Sequence, residues 1–298
     1  MTDSPRRGSV LAAYALLLLA AASWGGNWVA ARSAIGEVPP ITLVFWRWLL
    51  ASALLVAISI PHLRRDAATL RAHWRAVVGL GVIGTTAFSM LGYIGLGYTT
   101  ATNATLLNGA MPIYQIPLSW LLLGLTISAR QGLGLVLSLA GVLVILTRSE
   151  LSVLTGLQFN PGDLIVLMAM LCWALYTVFL SRTPKVHPLS FLTCASLVGV
   201  IFMLPFLAWE VATTPAPDYT PSGIGAIVYL AVFPSIVSYL CWSAAVKRIG
   251  PNAAAFFNPT IPAFGTLWAI VFLGEQVHLY HLAGFALVIA GVLLSSKR

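Results

Sequence analysis

Charged residues are scarce in this chain. Only 8% of its 298 residues are Asp, Glu, Lys or Arg, 59% are hydrophobic, and the mean hydropathy is +0.92. A surface exposed to water needs more polar residues than this composition supplies, which excludes a soluble globular protein of this length. The three cysteines, Cys172, Cys194 and Cys241, all lie within apolar runs. A disulfide framework or a cysteine metal site is therefore not indicated.

Catalytic motifs and acids inside apolar runs are also missing. The sequence contains no HExxH zinc motif, no phosphate-binding P-loop and no pair of carboxylates within an apolar run. We therefore predict that the protein is not an enzyme and uses no cofactor and no metal. Asp and Glu together number eight, and none lies near the middle of an apolar run. A carboxylate that would bind a proton or a sodium ion within a membrane is not evident.

What the sequence has instead is a series of long apolar runs. A helix needs roughly 20 residues to cross the hydrocarbon of a bilayer. Ten runs of about that length cover residues 11–33, 41–60, 76–97, 103–125, 128–146, 163–180, 189–209, 223–246, 252–273 and 278–295. Their continuous apolarity excludes barrel strands, and the longest connections, around 61–75, 147–162 and 210–222, are too short for a soluble domain. The predicted fold is an all-α multi-pass membrane protein with ten transmembrane helices.

The formal net charge of +8 is distributed as a topology signal. With a cytoplasmic N-terminus, only Arg32 and Arg148 fall outside, and Arg47 lies within a span. The thirteen cytoplasmic cations are Arg6, Arg7, Arg64, Arg65, Arg71, Arg75, Arg130, Arg182, Lys185, Lys247, Arg248, Lys297 and Arg298. We predict cytoplasmic N- and C-termini and a lipid bilayer, not nucleic acid, as the partner of this basic chain. The opening LAAYALLLLAAAS also resembles a cleavable signal peptide, but the apolar run continues through WGGNWVAA.

The sequence repeats itself at an offset of about 150 residues. Identical pairs include Asn108 with Asn258, Pro112 with Pro262, and AGVL at 140–143 with AGVL at 290–293. We predict two five-helix repeats, residues 1–150 and 151–298, that together form one membrane domain. Because five is an odd number, the second copy enters the membrane from the opposite side. Inverted repeats are typical of secondary transporters, although such a duplication also occurs in channels or merely builds a stable bundle.

An asparagine precedes a proline by four positions in both repeats, within NATLLNGAMP and NAAAFFNPTIP. A proline inside a helix frees the carbonyl four residues earlier, which is that of Asn108 for Pro112 and that of Asn258 for Pro262. We predict that the two prolines are hinges. Each asparagine would then contact substrate or satisfy the freed backbone. Asn103 and Asn252, which start the same two runs, suit helix N-caps.

Aromatic and weakly polar side chains lie around these interruptions at helical spacing. Buried Trp and Tyr suit a pocket for aromatic or amphipathic molecules, although each of them also suits ordinary helix packing. Trp28 and Phe88 lie in the same runs. The predicted substrate-binding set is Trp24, Asn27, Tyr93, Asn108, Met111, Trp173, Tyr176, Tyr239, Trp242 and Asn258.

Two charged residues are further candidates. Arg47 lies within the second run and has Ala195 at the corresponding place in the second repeat. It would pair with a substrate carboxylate, pair with Glu275, or extend outward to the interface. Glu275 lies at the outer end of the ninth run, where the first repeat has Leu125. Proton exchange through Glu275 or through His278 and His281 is a further hypothesis. The glycines at 134 and 141, repeated at 284 and 291, indicate close helix packing.

Several motifs carry a resemblance to a known family. SWGGNWVAAR in the first span, FWRW in the second, and LGE followed by AGVLL in the second repeat resemble the EamA-type branch of the drug/metabolite transporter superfamily. Within it, the chain looks like bacterial YddG-type exporters of aromatic and other neutral amino acids. The resemblance implies a bacterial inner-membrane location. It also implies a central cavity formed by spans 1, 3, 4, 6, 8 and 9, with spans 5 and 10 packed at the rear.

The function expected from these observations is export of aromatic and other neutral amino acids and related metabolites. The protein would work by alternating access and facilitated diffusion, as a monomer. A multidrug or quaternary-ammonium exporter coupled to protons is the alternative within transport, and it lacks a visible buried carboxylate. A channel is the alternative of another class.

Overall fold

Ten membrane-spanning helical segments make up the computed structural model, which describes residues 7–147, 160–273 and 276–296. Within these residues the structure consists of helices and contains no strand. In chain order, spans 1 to 10 are Gly8–Ile35, Pro40–Ala72, Trp74–Tyr98, Asn103–Leu123, Ala129–Leu146, Pro161–Leu180, Pro188–Thr213, Pro221–Ile249, Pro251–Val271 and Leu279–Ser296. The prediction of an all-α protein with ten transmembrane helices is confirmed. The predicted boundary between residues 150 and 151 lies outside the described residues.

Half of the spans are divided into shorter helices. Spans 2, 5, 6, 7 and 10 are the single helices Pro40–Ala72, Ala129–Leu146, Pro161–Leu180, Pro188–Thr213 and Leu279–Ser296. Spans 1, 4 and 9 each contain two helices, which are Arg7–Gly25 with Asn27–Ile35, Ala101–Gly109 with Pro112–Leu123, and Pro251–Ala255 with Thr260–Leu273. Spans 3 and 8 each contain a π-helical turn between two α-helices. Span 3 consists of Trp74–Leu80, the π-helical turn Gly81–Ala87 and Phe88–Tyr98. Span 8 consists of Pro221–Leu230, the π-helical turn Ala231–Val237 and Ser238–Ile249.

The connection predicted around residues 61–75 is wrong in its extent. The helix of span 2 continues to Ala72 and accommodates Pro61 in its interior. The residues beyond Pro61 include several Leu, Arg and Ala residues, which favour helix even where they are too polar for the hydrocarbon. Apolarity therefore marks the membrane segment of span 2 but not the end of its helix.

The predicted N-caps at Asn103 and Asn252 are also wrong. The hydroxyl of Thr100 caps span 4 by accepting a hydrogen bond of 3.1 Å from the backbone N–H of Asn103. The side chain of Asn103 is thereby released to donate to the Asp163 carboxylate at the start of span 6. In span 9, Pro251 is the first helical residue, a position that proline suits because its missing N–H would be unpaired there.

Contacts between spans follow a pseudo-twofold relation between the two halves. Span 5 packs on span 10, span 2 on span 7, and span 4 on span 9. Span 1 packs on span 8 just as span 6 packs on span 3. Exchanging each span with the one five positions away leaves this list of contacts unchanged. The packing agrees with two inverted five-helix repeats, and the π-helical turns at 81–87 and 231–237 obey the same relation.

The pair formed by spans 5 and 10 is held together by its glycines. A Cβ atom added to Gly141 would lie 2.7 Å from the carbonyl oxygen of Gly284, and one added to Gly134 would lie 2.6 Å from that of Gly291. No side chain fits at such distances, so the two backbones touch directly. The prediction that these glycines serve close helix packing is confirmed.

Spans 2 and 7 each carry a carboxylate that caps the N-terminus of the other span's helix. Glu210 in span 7 is 3% exposed and accepts hydrogen bonds from the backbone N–H groups of Ile41 and Thr42, at 3.0 and 2.6 Å. At the other end of the pair, Asp66 in span 2 accepts one of 2.8 Å from the N–H of His187. The first N–H groups of a helix lack intrahelical partners and favour an anion. This reciprocal capping fixes span 2, which carries Arg47, against the second repeat.

Candidate functional site

The interrupted spans of the two repeats meet at the centre of the protein. The first helix of span 4 ends at Gly109 and the next begins at Pro112, whereas in span 9 the chain leaves the helix at Ala255 and resumes it at Thr260. A Cβ atom on Gly109 would lie 3.3 Å from Cγ of Pro262. The two interruptions thus face each other near the pseudo-twofold axis. The hinge role of Pro112 and Pro262 stays a prediction.

The carbonyl groups expected to be free at these interruptions are paired. The carbonyl of Asn108 accepts a hydrogen bond of 3.1 Å from the N–H of Met111, and that of Asn258 accepts one of 3.0 Å from the N–H of Ile261. The prediction of two unpaired carbonyls is wrong because the chain leaves each helix through a tight turn that takes up the carbonyl. At the two interruptions, the buried atoms without a hydrogen-bond partner in the described structure include Oδ1 of Asn108 and Nδ2 of Asn258.

A small cavity of about 20 Å³ lies between the halves at this level. Four aromatic residues, three carboxamides, one cation and one aliphatic residue line it. The lining residues are Trp24, Asn27, Trp28, Arg47, Phe88, Asn108, Trp173, Asn258 and Ile261. Six of the residues singled out as candidates from the sequence are therefore brought together here. Ile261 was not anticipated, because an apolar residue in an apolar span gives no distinguishing signal.

Three of the predicted aromatic contacts form a layer behind this lining. The ring of Trp173 lies 5.1 Å from those of Tyr176 and Tyr239 and 5.9 Å from that of Trp242, measured between centroids. Two of these residues use their polar groups within the protein. The Tyr239 hydroxyl donates a hydrogen bond to the Gly84 carbonyl, and Nε1 of Trp242 donates one to the Thr177 hydroxyl. These residues support the wall in this structure. Their direct contact with substrate stays a prediction.

The remaining candidates lie beside the cavity or beyond the described residues. Met111 is buried at the interruption of span 4, with 1% of its surface exposed. The hydroxyl of Tyr93 donates to Oδ1 of Asn27, which lines the cavity. Glu275 lies outside the described residues. Within the described part of the chain, no group of three or more His, Cys, Asp and Glu residues is placed to hold a metal ion.

Arg47 does not extend outward to the membrane interface. Its side chain is 2% exposed and lines the cavity about two helical turns from the start of span 2. Nε donates to Oγ of Ser235 at 2.5 Å, and Nη1 donates to the Tyr93 hydroxyl at 2.6 Å and to Oδ1 of Asn27 at 3.3 Å. The guanidinium carbon lies 5.4 Å from the centroid of the Trp48 ring. Spans 1, 2, 3 and 8 therefore all converge on this cation.

Ser235 was missed by the sequence analysis. It lies in the π-helical turn of span 8, and the position 150 residues earlier, in the π-helical turn of span 3, is the buried Thr85. A hydroxyl at the same place in both repeats was the signal that could have found it. Such small polar residues are common in apolar helices, so the repeat relation and not the residue type carries the information.

Glu37, which lies in the short connection between spans 1 and 2, joins the end of span 1 to the start of span 8. Its carboxylate accepts hydrogen bonds from the hydroxyls of Thr220 and Ser222, at 2.5 and 2.9 Å. Thr220 in turn caps span 8. The Thr220 hydroxyl, followed by that of Ser222, lowers the pKa of Glu37 below its ordinary value. This link joins the two spans that supply Trp24, Asn27 and Ser235 to the central region.

Two inverted five-span halves around a central cavity, with broken helices at its wall, define a membrane transporter of the inverted-repeat class. The EamA-like transporter family matches residues 11–147 and again 160–297. The chain belongs to this family, and each match covers one five-span repeat.

Related proteins agree with this assignment. The chain is 29% identical over 285 residues to a protein of Bacillus subtilis described as the uncharacterized transporter YyaM, covering 95% of this chain and 93% of that protein. It is 28% identical over 284 residues to an uncharacterized transporter of Archaeoglobus fulgidus, covering 95% and 96%. A solved structure matches with a TM-score of 0.77 and 21% identity over 97% of this chain and 96% of the other, which shows the likeness of the fold.

Proposed function

We propose that this transporter exports aromatic and other neutral amino acids and related metabolites. The observation that carries the proposal is the cavity between the repeats, which Trp24, Trp28, Phe88 and Trp173 line together with polar side chains. Aromatic walls accept a flat apolar side chain by offset stacking or edge-to-face contact. A few fixed polar groups then orient the substrate. An amino acid with an apolar side chain has both kinds of surface.

The symmetry of the packing supports alternating access as the mechanism. If each repeat adopts the conformation of the other, an opening on one side of the membrane closes while one on the opposite side opens. The interruptions at Pro112 and Pro262 lie at the axis, where a change in helix direction would move the wall of the cavity. We propose that these prolines are the hinges and that residues 1–150 and 151–298 are the two moving repeats.

The residues that line the cavity favour facilitated diffusion, which is transport without coupling to protons. The lining residues within the described parts of the chain include no Asp, Glu or His, so no side chain there exchanges a proton near neutral pH. Substrate would then move down its own gradient. We place the protein in a bacterial inner membrane with both termini in the cytoplasm, because the basic loops would lie on that side, and we propose that a monomer is sufficient.

Counterflow into liposomes tests this proposal. The purified protein would be reconstituted into vesicles preloaded with unlabelled phenylalanine, and entry of labelled phenylalanine would be followed with and without a proton gradient. Labelled glutamate and a drug-like cation serve as controls. Accelerated entry of phenylalanine that is indifferent to the proton gradient is the expected result. Entry of the cation instead would support the multidrug alternative, and electrical conductance without counterflow would support a channel.

A further inference from the structure

Arg47 is a buried cation whose charge no described carboxylate balances. Its only hydrogen-bond partners in the described structure are the neutral side chains of Ser235, Tyr93 and Asn27. The one ion pair within 4.0 Å among the described residues joins Arg65 and Asp66 near the end of span 2. A charge taken out of water in a membrane protein is costly unless an opposite charge or a ligand compensates it. The cavity therefore has a net positive wall.

The partners of Arg47 are arranged to hold the guanidinium in one orientation. The Tyr93 hydroxyl gives its own hydrogen to Oδ1 of Asn27 at 3.1 Å, and the Ser235 hydroxyl gives its hydrogen to the Leu230 carbonyl at 2.8 Å. Both oxygens therefore present lone pairs to Arg47. These contacts occupy Nε and Nη1, whereas Nη2 has no hydrogen-bond partner among the described residues. Since Arg47 lines the cavity, its Nη2 edge is the part left for a ligand.

A second unsatisfied donor lines the same cavity. Nδ2 of Asn258 is buried and has no partner within the described structure. A buried donor that stays unpaired costs free energy, so this amide favours an acceptor from a bound molecule, and the charged Nη2 group of Arg47 favours an anionic one. The position that corresponds to Arg47 in the second repeat is Ala195, which is buried and has no charge to offer. Among the described residues that line the cavity, Arg47 of the first repeat is therefore the one cation.

We infer that Arg47 is the anchor for a carboxylate of the transported molecule, with the amide of Asn258 as a second donor. A planar guanidinium matches a carboxylate geometrically, and a single cation balances one negative charge but not the two of a phosphate monoester. The preferred substrates are therefore monocarboxylates that bear a flat apolar group, and the amino group is secondary. The inference rests on the proposed function for transport itself, but the binding chemistry is open to a separate test.

The test compares three probes that share one aromatic ring. Phenylalanine has both charged groups, 3-phenylpropionate has the carboxylate alone, and phenylethylamine has the amine alone. Binding to the purified full-length protein would be measured by isothermal titration calorimetry. We expect phenylalanine and 3-phenylpropionate to bind about 10- to 100-fold more tightly than phenylethylamine, the range for one hydrogen-bonded charge. Comparable or tighter binding of phenylethylamine would overturn the inference without any variant.

Substitutions assign the preference to Arg47. Arg47→Gln should remove the advantage of the two carboxylates, and Arg47→Lys should restore only part of it because an ammonium lacks the planar pair of donors. Arg32→Gln is the matched control, since Arg32 is an exposed arginine that donates to the Leu96 carbonyl and does not line the cavity. It should keep the wild-type preference. Unchanged carboxylate affinity in a folded Arg47→Gln protein would overturn the inference.

The two proposals fail in distinguishable ways. If phenylalanine shows no counterflow but carboxylates bind in a manner that depends on Arg47, the amino-acid proposal fails and the anchor stands. If phenylalanine shows counterflow that phenylethylamine inhibits as strongly as 3-phenylpropionate does, transport stands and the anchor is wrong.

Discussion

The carboxylate of Glu210 offers a test of how the two repeats hold each other. Its Oε1 accepts one hydrogen bond from the N–H of Ile41, and its Oε2 accepts two from the N–H and hydroxyl of Thr42, at 2.6 and 2.8 Å. Replacement by glutamine keeps the shape but removes the charge. It also replaces one oxygen by an NH2 group that faces an N–H donor. We expect Glu210→Gln to destabilise the protein.

The structure sets the size of this effect. At least one charge-assisted hydrogen bond is lost, worth about 1.5–3 kcal/mol, together with about 0.3–1 kcal/mol from the favourable position of an anion at a helix N-terminus. The sum is about 2–4 kcal/mol. With about 2 °C for each kcal/mol in a large domain, the melting temperature in detergent should fall by about 4–8 °C.

Asp218→Asn is the control for the loss of charge alone. Asp218 is exposed on the same side of the protein, and its carboxylate makes no hydrogen bond to a described residue. Its melting temperature should stay close to that of the wild type. If Glu210→Gln and Asp218→Asn melt at the same temperature, the capping of span 2 by span 7 does not contribute to stability and the reasoning is refuted.

Three further changes probe other parts of the structure. Pro262→Ala should slow counterflow while the melting temperature stays near that of the wild type, and wild-type flux at wild-type membrane levels would remove the hinge role. Gly141→Ala should destabilise the protein by about 1–3 kcal/mol through overpacking, whereas Gly132→Ala, where an added Cβ meets nothing within 4 Å, should not; equal melting temperatures would contradict the close contact. The lowered pKa of Glu37 means that its link to Thr220 stabilises the protein above the ordinary value of 4.5 and is lost as the pH falls through the lower folded value. The difference in melting temperature between wild type and Glu37→Gln should therefore shrink on acidification, and a constant difference would argue against the link.

Local sequence was a poor guide to which faces of the spans meet. Trp173 and Trp242 are both aromatic residues well inside apolar spans, yet only Trp173 lines the cavity. A span that is apolar on all sides carries little amphipathic signal, so its rotation about its axis is set by its neighbours. The same reason explains why Ser235 was missed and why Arg47, recognised as unusual, had three possible placements until its surroundings were visible.

The sequence by itself determined the number of spans, the duplication and the interruptions of spans 4 and 9. These follow from the length of apolar segments relative to the bilayer, from residue identities 150 positions apart, and from the missing N–H of proline. Only the tertiary structure decided that the Asn108 and Asn258 carbonyls are paired, that Glu210 caps a helix of the other repeat, and that a neutral ring of hydroxyl and amide groups surrounds Arg47. These contacts join residues far apart in the chain, and their geometry depends on how ten helices pack at once.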